Sequence, residues 1–98
     1  MEKVYKIEKV EKGQNFENIL VEAHIKNTIS QFIRETNVTD FKLEVKTSPI
    51  DDTQLEFLLD NYRKDNGVYF YKGYQCNFGE LKLLVKHSFV NLEIIINY

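Results

Sequence analysis

Few side chains in this sequence could serve as a nucleophile, a general base or a soft metal ligand. They are one cysteine, Cys76, and two histidines, His24 and His87. Cys76 and His87 could meet in space as a thiol and its base, but their spacing matches no zinc motif and there is no second cysteine. A single cysteine inside an aromatic strand is usually a small core residue. We therefore expect no enzymatic activity, no cofactor and no metal site.

Glycine and aromatic residues are present without the patterns that nucleotides or RNA require. The four glycines stand singly, so neither a GxGxxG nor a GxxxxGK phosphate-binding loop can form. The aromatic segment 69–74 lacks the basic surroundings of an RNA-binding sheet. The net charge is −2, which is too small and of the wrong sign to attract nucleic acid or an anionic membrane. We therefore expect no direct binding to either.

Three acidic residues recur at four-residue spacing along one predicted helix, at Asp52, Glu56 and Asp60. Like charges at this spacing repel each other by a few tenths of a kcal/mol, so helix stability alone does not favour them. A negative row of this kind can occupy a basic groove in place of phosphates. The alternative is a solvated helix face with favourable acids in its first turn.

Aromatic residues supply the rest of the candidate surface. Phe57 points roughly 160° away from the apolar side of its helix. Its neighbours on the helix are charged, which is typical of an aromatic hot spot in a protein interface. The alternative is that a loop or a strand of the same chain covers the ring. If Val68 and Phe70 face the helices, Tyr69 and Tyr71 face away and leave an apolar, tyrosine-bearing patch. A homodimer through the face of the sheet or through its edge would use the same residues. The candidate partner-binding residues are Asp52, Glu56, Phe57, Asp60, Tyr69 and Tyr71.

Hydrophobic periodicity and turn signals predict the elements that position these residues. Strands are expected over 4–11, 41–46, 68–72, 74–78, 81–86 and 90–98, although 81–86 also fits helical spacing. A helix is expected over 52–66, with a capping box formed by Asp51 and Gln54 and a stop at Asn66-Gly67. Residues 16–36 fit either a strand followed by a short helix or one long helix. We favour the strand followed by a helix, because in one long helix the apolar residues of the two halves would point roughly 130° apart.

Length and composition limit the class of protein. The chain has 98 residues, of which 43% are hydrophobic, so we expect one globular domain, residues 1–98, with its own core. The predicted fold is α+β, with a mostly antiparallel sheet of about five strands and two helices packed on one face. A single cysteine, a charged amino terminus and no long apolar run predict a cytoplasmic protein.

These observations favour a small non-enzymatic module that binds another protein. Lysine outnumbers arginine, as in the AT-rich genes of many phages and mobile elements. The concrete hypothesis is an inhibitor from such an element, for example an anti-CRISPR or other counter-defence protein, that blocks a nucleic-acid-processing partner with its acidic helix. The alternatives are an immunity protein or antitoxin that neutralises a toxin, and a structural homo-oligomer.

Overall fold

The computed structural model describes residues 1–12, 19–62 and 64–98, and in it single strands and helices are interspersed except for three consecutive strands between the second and third helices. Within these residues, the helices are α1 (Ile19–Thr36), α2 (Asp52–Leu59) and α3 (Phe78–Ser88). The strands are β1 (Glu2–Glu11), β2 (Lys42–Pro49), β3 (Lys64–Asp65), β4 (Val68–Tyr71), β5 (Tyr74–Cys76) and β6 (Phe89–Asn97). They form two antiparallel sheets, β1-β6-β2 and β3-β4-β5. The predicted α+β class is confirmed, but one sheet of about five strands with two helices is wrong, because the described residues form two three-stranded sheets and three helices.

β6 lies at the centre of the first sheet because it carries apolar residues on both faces. Ile94 is fully buried on one face, and Ile95 is only 7% exposed on the other. The antiparallel neighbours β1 and β2 place Lys6 and Lys46 on either side of Glu93. Opposite charges directly across neighbouring strands stabilise a sheet. The face that bears Glu93, named here the charged face, therefore has a lysine on either side of this glutamate, with Val4, Ile95 and Glu44 forming the adjacent row.

α1 packs on the other face of this sheet through Phe32, which is completely buried. The ring of Phe32 meets Phe41 and Tyr98 edge-on, with centroid distances of 5.2 and 5.0 Å. Ile94 and Ile96 complete the buried cluster below the ring. Edge-to-face aromatic pairs add to the stability that area burial provides, so Phe32 is the main anchor of α1.

The structure corrects the prediction for residues 16–36. Residues 19–36 form one helix, so the strand followed by a short helix is wrong, while residues 16–18 lie outside the described residues. Thr28 is buried on the stripe that faces the sheet, and its hydroxyl donates to the backbone carbonyl of His24 at 2.8 Å. This bond to the preceding turn lets a polar residue occupy a core position. The two apolar faces diverge because only the second half of α1 packs on the sheet, whereas Leu20 in the first half is 47% exposed and Ala23 is exposed as well.

α2, α3 and the second sheet enclose another hydrophobic cluster. Its buried members are Ile50, Leu55, Leu59, Tyr71, Cys76, Leu81 and Val85. The two turns of the second sheet have positive φ at consecutive residues, 50° and 80° at Asn66-Gly67 and 48° and 85° at Lys72-Gly73. This is the requirement of the type I′ hairpin turn. Asn66-Gly67 thus joins β3 to β4, and the prediction that it ends α2 is wrong, since α2 ends at Leu59.

The segment 81–86, predicted as a strand, belongs to α3. Asn77 caps this helix by accepting a hydrogen bond from the backbone N–H of Glu80 at 2.9 Å. Leu81 and Val85, four residues apart, are both fully buried, as one face of a helix requires. The cap at Asn77 and the helical spacing of the buried residues therefore favour a helix over 81–86, in spite of the β-propensity of Val85 and its aliphatic neighbours.

The molecule is elongated because its two hydrophobic clusters remain separate. Its radius of gyration is 16.8 Å and its extents are 55 × 24 × 18 Å, whereas a globular domain of this length has a radius of gyration of about 12.6 Å. An elongated shape leaves more strand and helix surface exposed for each residue. In the described part of the chain, no helix is both long and apolar enough to cross a bilayer.

Candidate protein-binding surface

α2 is held in place by its amino-terminal cap, as the sequence predicts. The Asp51 carboxylate accepts from the backbone N–H of Gln54 at 2.8 Å, and the Gln54 side chain accepts from the backbone N–H of Asp51 at 2.9 Å. The amides of Gln54 and Asn91 also bond each other reciprocally, at 3.0 and 3.1 Å. Ile50 and Leu55 are buried in the same cluster. The helix is therefore tied to both the core and β6, which orients its outer face.

Asp52, Glu56 and Asp60, named here the acidic row, are all exposed. Asp52 and Glu56 lie one turn apart on α2, and Asp60 continues the spiral as the carboxyl-terminal cap with helical φ and ψ of −62° and −19°. Asp52 at the helix start is favoured by the helix dipole, whereas Asp60 stands at its negative end. None of the three forms an ion pair with another described residue. Because the Asp60 carboxylate lies at the negative end of the helix dipole and no cation of the described residues is paired to it, its position lowers the stability of α2.

Phe57 lies beside the acidic row and is 59% exposed. The ammonium group of Lys9 stands 4.2 Å from the centroid of its ring, a cation–π contact. Lys9 adopts a left-handed φ of 55°, and the pairing of β1 with β6 shifts there, between Ile7 and Val10. This bulge is the slip in alternation visible in the sequence of β1. One face of the Phe57 ring is therefore near a cation, while most of the ring remains open to solvent.

A shallow depression of about 270 Å³ separates α2 from α3 next to the acidic row. Asp52 and Glu56 line one side, and Phe78 and Lys82 line the other. Phe78 is half exposed, so the depression combines carboxylates with an accessible aromatic ring. Sequence reasoning missed Phe78 and Lys82 because it assigned their segment to strands, and it missed Lys9 because no sequence signal relates this residue to the distant Phe57.

The predicted orientation of Tyr69 and Tyr71 is wrong. Tyr71 is 1% exposed, and its hydroxyl donates to Ser88 Oγ at 2.5 Å. Tyr69 is half-buried, with its ring centroid 5.6 Å from that of Phe78. Phe70, expected to face the helices, is 50% exposed instead. Side chains alternate between the two faces of β4, and this pattern correctly places Tyr69 and Tyr71 on the same face. Because α3 packs against that face, Tyr71 cannot belong to an exposed binding surface.

The three potential catalytic side chains are distributed over different parts of the fold. Cys76 is buried in the cluster between α2, α3 and the second sheet. His87 is exposed near the end of α3, and His24 is half-buried on α1. Among the described residues, no three of the His, Cys, Asp and Glu side chains are grouped so that they could hold a metal ion. Burial explains Cys76 as a core residue, and the lack of enzymatic activity stays a prediction.

Another polar cluster, centred on Glu35, holds α1 against β1. Its carboxylate accepts hydrogen bonds from the Lys3 ammonium group, from the Tyr5 hydroxyl at 3.0 Å and from the Gln31 amide at 2.9 Å. The bond from Lys3 first, and then those from Gln31 and Tyr5, lower the pKa of Glu35 to about 2. The same pairing raises the pKa of Lys3. A carboxylate with so low a pKa is a poor proton acceptor, so the cluster is suited to holding the helix in place.

Replacing Lys3 by methionine is expected to raise the pKa of Glu35 toward the ordinary carboxyl range, because the largest cause of the shift is removed. In the wild type the folded pKa lies below the unfolded one. The ion pair therefore stabilises the fold fully above the unfolded carboxyl pKa, and this contribution is lost as the pH falls through about 2. An NMR titration of the Glu35 side-chain carboxyl carbon measures the change.

Lys6→Met is the matched control for this titration, because Lys6 faces the opposite side of β1 and lies across from Glu93. It is expected to leave the pKa of Glu35 unchanged. A Glu35 midpoint that stays near 2 in Lys3→Met would contradict the assigned cause.

The candidate surface therefore consists of the acidic row and Phe57 on α2, named here the α2 surface, with Lys9 at its edge and Phe78 and Lys82 across the depression. Its side chains are charged or aromatic, and they lie on a capped helix rather than on a loop. Comparisons of this chain with protein-family models, with curated proteins and with solved structures gave no match.

Proposed function

We propose that this chain is a non-enzymatic protein-binding module that uses the α2 surface to engage a basic groove on another protein. The observation that carries the proposal is the exposure of the acidic row next to an aromatic ring that is 59% exposed. Exposed charges steer association with a surface of opposite sign. A ring that can be buried by a partner supplies the apolar area of a hot spot. The acidic row would attract a basic partner, and the Phe57 ring would supply the apolar contact at the centre of the interface.

The spacing of the acids favours a partner that normally binds nucleic acid. Asp52 and Glu56 are one helical turn apart, which corresponds to a rise of about 6 Å and is similar to the distance between neighbouring phosphates of a strand. A groove that binds phosphates with lysine and arginine could bind such a row in the same way. The specific form of the proposal is an inhibitor of a nucleic-acid-processing protein from a phage or mobile element, a class that includes anti-CRISPR proteins.

Reversing two charges of the row, Glu56→Lys with Asp60→Lys, is expected to reduce partner capture at least tenfold. The immobilised chain is incubated with host lysate at low salt, and bound proteins are quantified by mass spectrometry. Added DNA or RNA should compete with the captured protein, since both would occupy one groove. High salt should weaken capture, because the contact is electrostatic.

Glu2→Lys with Glu8→Lys is the matched control, since both residues are exposed on β1 and the change in net charge is the same. This variant should capture the partner as the wild type does. Equal capture by the α2 variant, or a partner that nucleic acid does not displace, would contradict the proposal. Capture of one toxin that the chain neutralises on co-expression would identify an immunity protein instead.

A further inference from the structure

β2 is an edge strand whose second side carries no strand in the described part of the chain. It pairs with β6 on one side only, and all eight of its residues are exposed. Leu43 and Val45 are 40% and 36% exposed. They lie on the same face of the sheet as Ile94 and Ile96, which α1 covers. An unpaired edge of this length presents backbone N–H and C=O groups that can accept another strand.

The two edges of the first sheet differ in regularity. β1 contains a bulge between Ile7 and Val10, with Lys9 at a positive φ of 55°. Bulges of this kind disrupt pairing along an edge. β2 pairs with β6 without a shift from Lys42 to Pro49. The edge of β2 is therefore the one with the geometry to continue the sheet.

The charges of β2 determine which pairing register is favourable. Lys42, Glu44 and Lys46 lie on the charged face of the sheet, in alternating sign along the strand. In an antiparallel pair of two copies, a twofold axis at Glu44 or Lys46 would place like charges opposite each other. An axis at Val45 instead places each Glu44 opposite Lys46 of the other copy. Directly opposed unlike charges favour pairing, and like charges oppose it.

We propose that the chain forms a homodimer in which two β2 strands pair antiparallel about a twofold axis at Val45. The product is one continuous six-stranded sheet, β1-β6-β2-β2-β6-β1. Across its charged face, the existing row Lys6, Glu93, Lys46 continues into Glu44 of the second copy, so the signs still alternate. This inference is independent of the α2 surface, which lies on another element.

The opposite face of the proposed sheet also gains from this register. Val45 meets Val45 of the second copy at the axis, and Leu43 meets Thr47 on either side. These side chains are partly exposed in the single chain, because α1 packs nearer to β1. Pairing two copies would bury the apolar atoms that α1 leaves uncovered. Lysine on an edge strand usually opposes association, but in this register Lys46 would lie opposite Glu44 of the second copy, and Lys42 opposite the uncharged Ser48.

Charge variants test the proposed register. Sedimentation velocity over a wide concentration range should show a reversible monomer–dimer equilibrium for the wild type. Glu44→Lys and Lys46→Glu, each alone, should raise the dissociation constant at least tenfold, because two pairs of like charge then face each other. The double variant that exchanges both residues should associate like the wild type, since opposite charges face each other again.

Mixing the two single variants separates a broken interface from a damaged fold. Lys46→Glu also faces Glu93 of its own chain and should melt at a slightly lower temperature. Even so, an equimolar mixture of Glu44→Lys and Lys46→Glu should form heterodimers. The introduced lysine of one variant then meets the introduced glutamate of the other, and the retained Lys46 of the first meets the retained Glu44 of the second. Failure of the mixture to associate, when the wild type does, would overturn the charge register.

Disulfide crosslinking tests the position of the axis. Val45→Cys places two thiols opposite each other at the axis, so mild oxidation should produce a covalent dimer on a non-reducing gel. Leu43→Cys should crosslink poorly, because its counterpart is four residues away along the strand. Cys76 is buried, so the wild type serves as a background control. A chain that is monomeric at all concentrations, or one that crosslinks equally through both positions, would overturn the proposal.

Discussion

Replacing Tyr71 by alanine is expected to lower the free energy of unfolding by about 3–5 kcal/mol, the usual cost of truncating a buried aromatic side chain. The ring is 1% exposed, and it packs 5.5 Å from the ring of Tyr62, centroid to centroid. Truncation would leave a cavity between β4 and α3 that neighbouring side chains fill only in part. Chemical denaturation followed by far-UV circular dichroism measures the change. A cost below about 0.5 kcal/mol, typical of surface substitutions, would indicate that Tyr71 faces solvent.

Tyr71→Phe is the matched control for the hydroxyl. It keeps the ring and removes the hydrogen bond to Ser88 Oγ, which is 2.5 Å long. Ser88 retains its own bond to the backbone carbonyl of Leu84, at 2.7 Å, so no buried donor is left unsatisfied. We expect a loss of about 1 kcal/mol, the net value of one hydrogen bond. The difference between the two variants then measures the packing of the ring.

Phe32→Ala is expected to cost about 3–5 kcal/mol as well, through the other hydrophobic cluster. Phe32 is fully buried and is the residue of α1 that meets both Phe41 and Tyr98. Without its ring, α1 would lose its central contact with β6, and Ile94 and Ile96 would line a cavity. The free energy of unfolding of an average domain is only about 5–15 kcal/mol. Loss of this ring should therefore remove a large part of the total.

Phe70→Ala is the control for Phe32→Ala, because it removes the same side chain from an exposed position. Phe70 is half exposed on β4, so the change should cost much less and lower the melting temperature by only a few degrees. Each kcal/mol shifts the melting temperature of a domain of this size by roughly 4–8 °C. Similar losses in both variants would contradict the assignment of Phe32 as the anchor of α1.

The separation of the two clusters has a consequence for the α2 surface. α2 packs with the Tyr71 cluster, whereas α1 and most of β1 pack with the Phe32 cluster. The two parts are connected at β6 and by the hydrogen bonds of Asn91 to Gln54 and to the backbone N–H of Lys9, the latter at 3.1 Å. Because Asn91 holds both α2 and the bulge of β1, it keeps Lys9 beside Phe57. The α2 surface therefore depends on both clusters.

Local sequence signals correctly predicted the elements whose stability is decided by neighbouring residues. The capping box of Asp51 and Gln54 needs only the four residues of the first turn. The strand over 90–98 is a run of β-branched and aliphatic residues whose propensity agrees with its place in the sheet. The slip in alternation within β1 appears in the structure as a bulge. The exposure of the acidic row likewise follows from charge, because ionised carboxylates are costly to bury.

Tertiary packing decided the features that depend on distant residues. The period of two puts Tyr69 and Tyr71 on the same face of β4, but the position of α3 decides that this face is buried. Residues 19–36 form one helix whose second half packs on the sheet through Phe32, while Leu20 in its first half stays 47% exposed. The sequence by itself determined which residues share a face and where helices begin. Only the assembled fold decided which faces are covered, because burial depends on the surface that another element brings and not on local conformation.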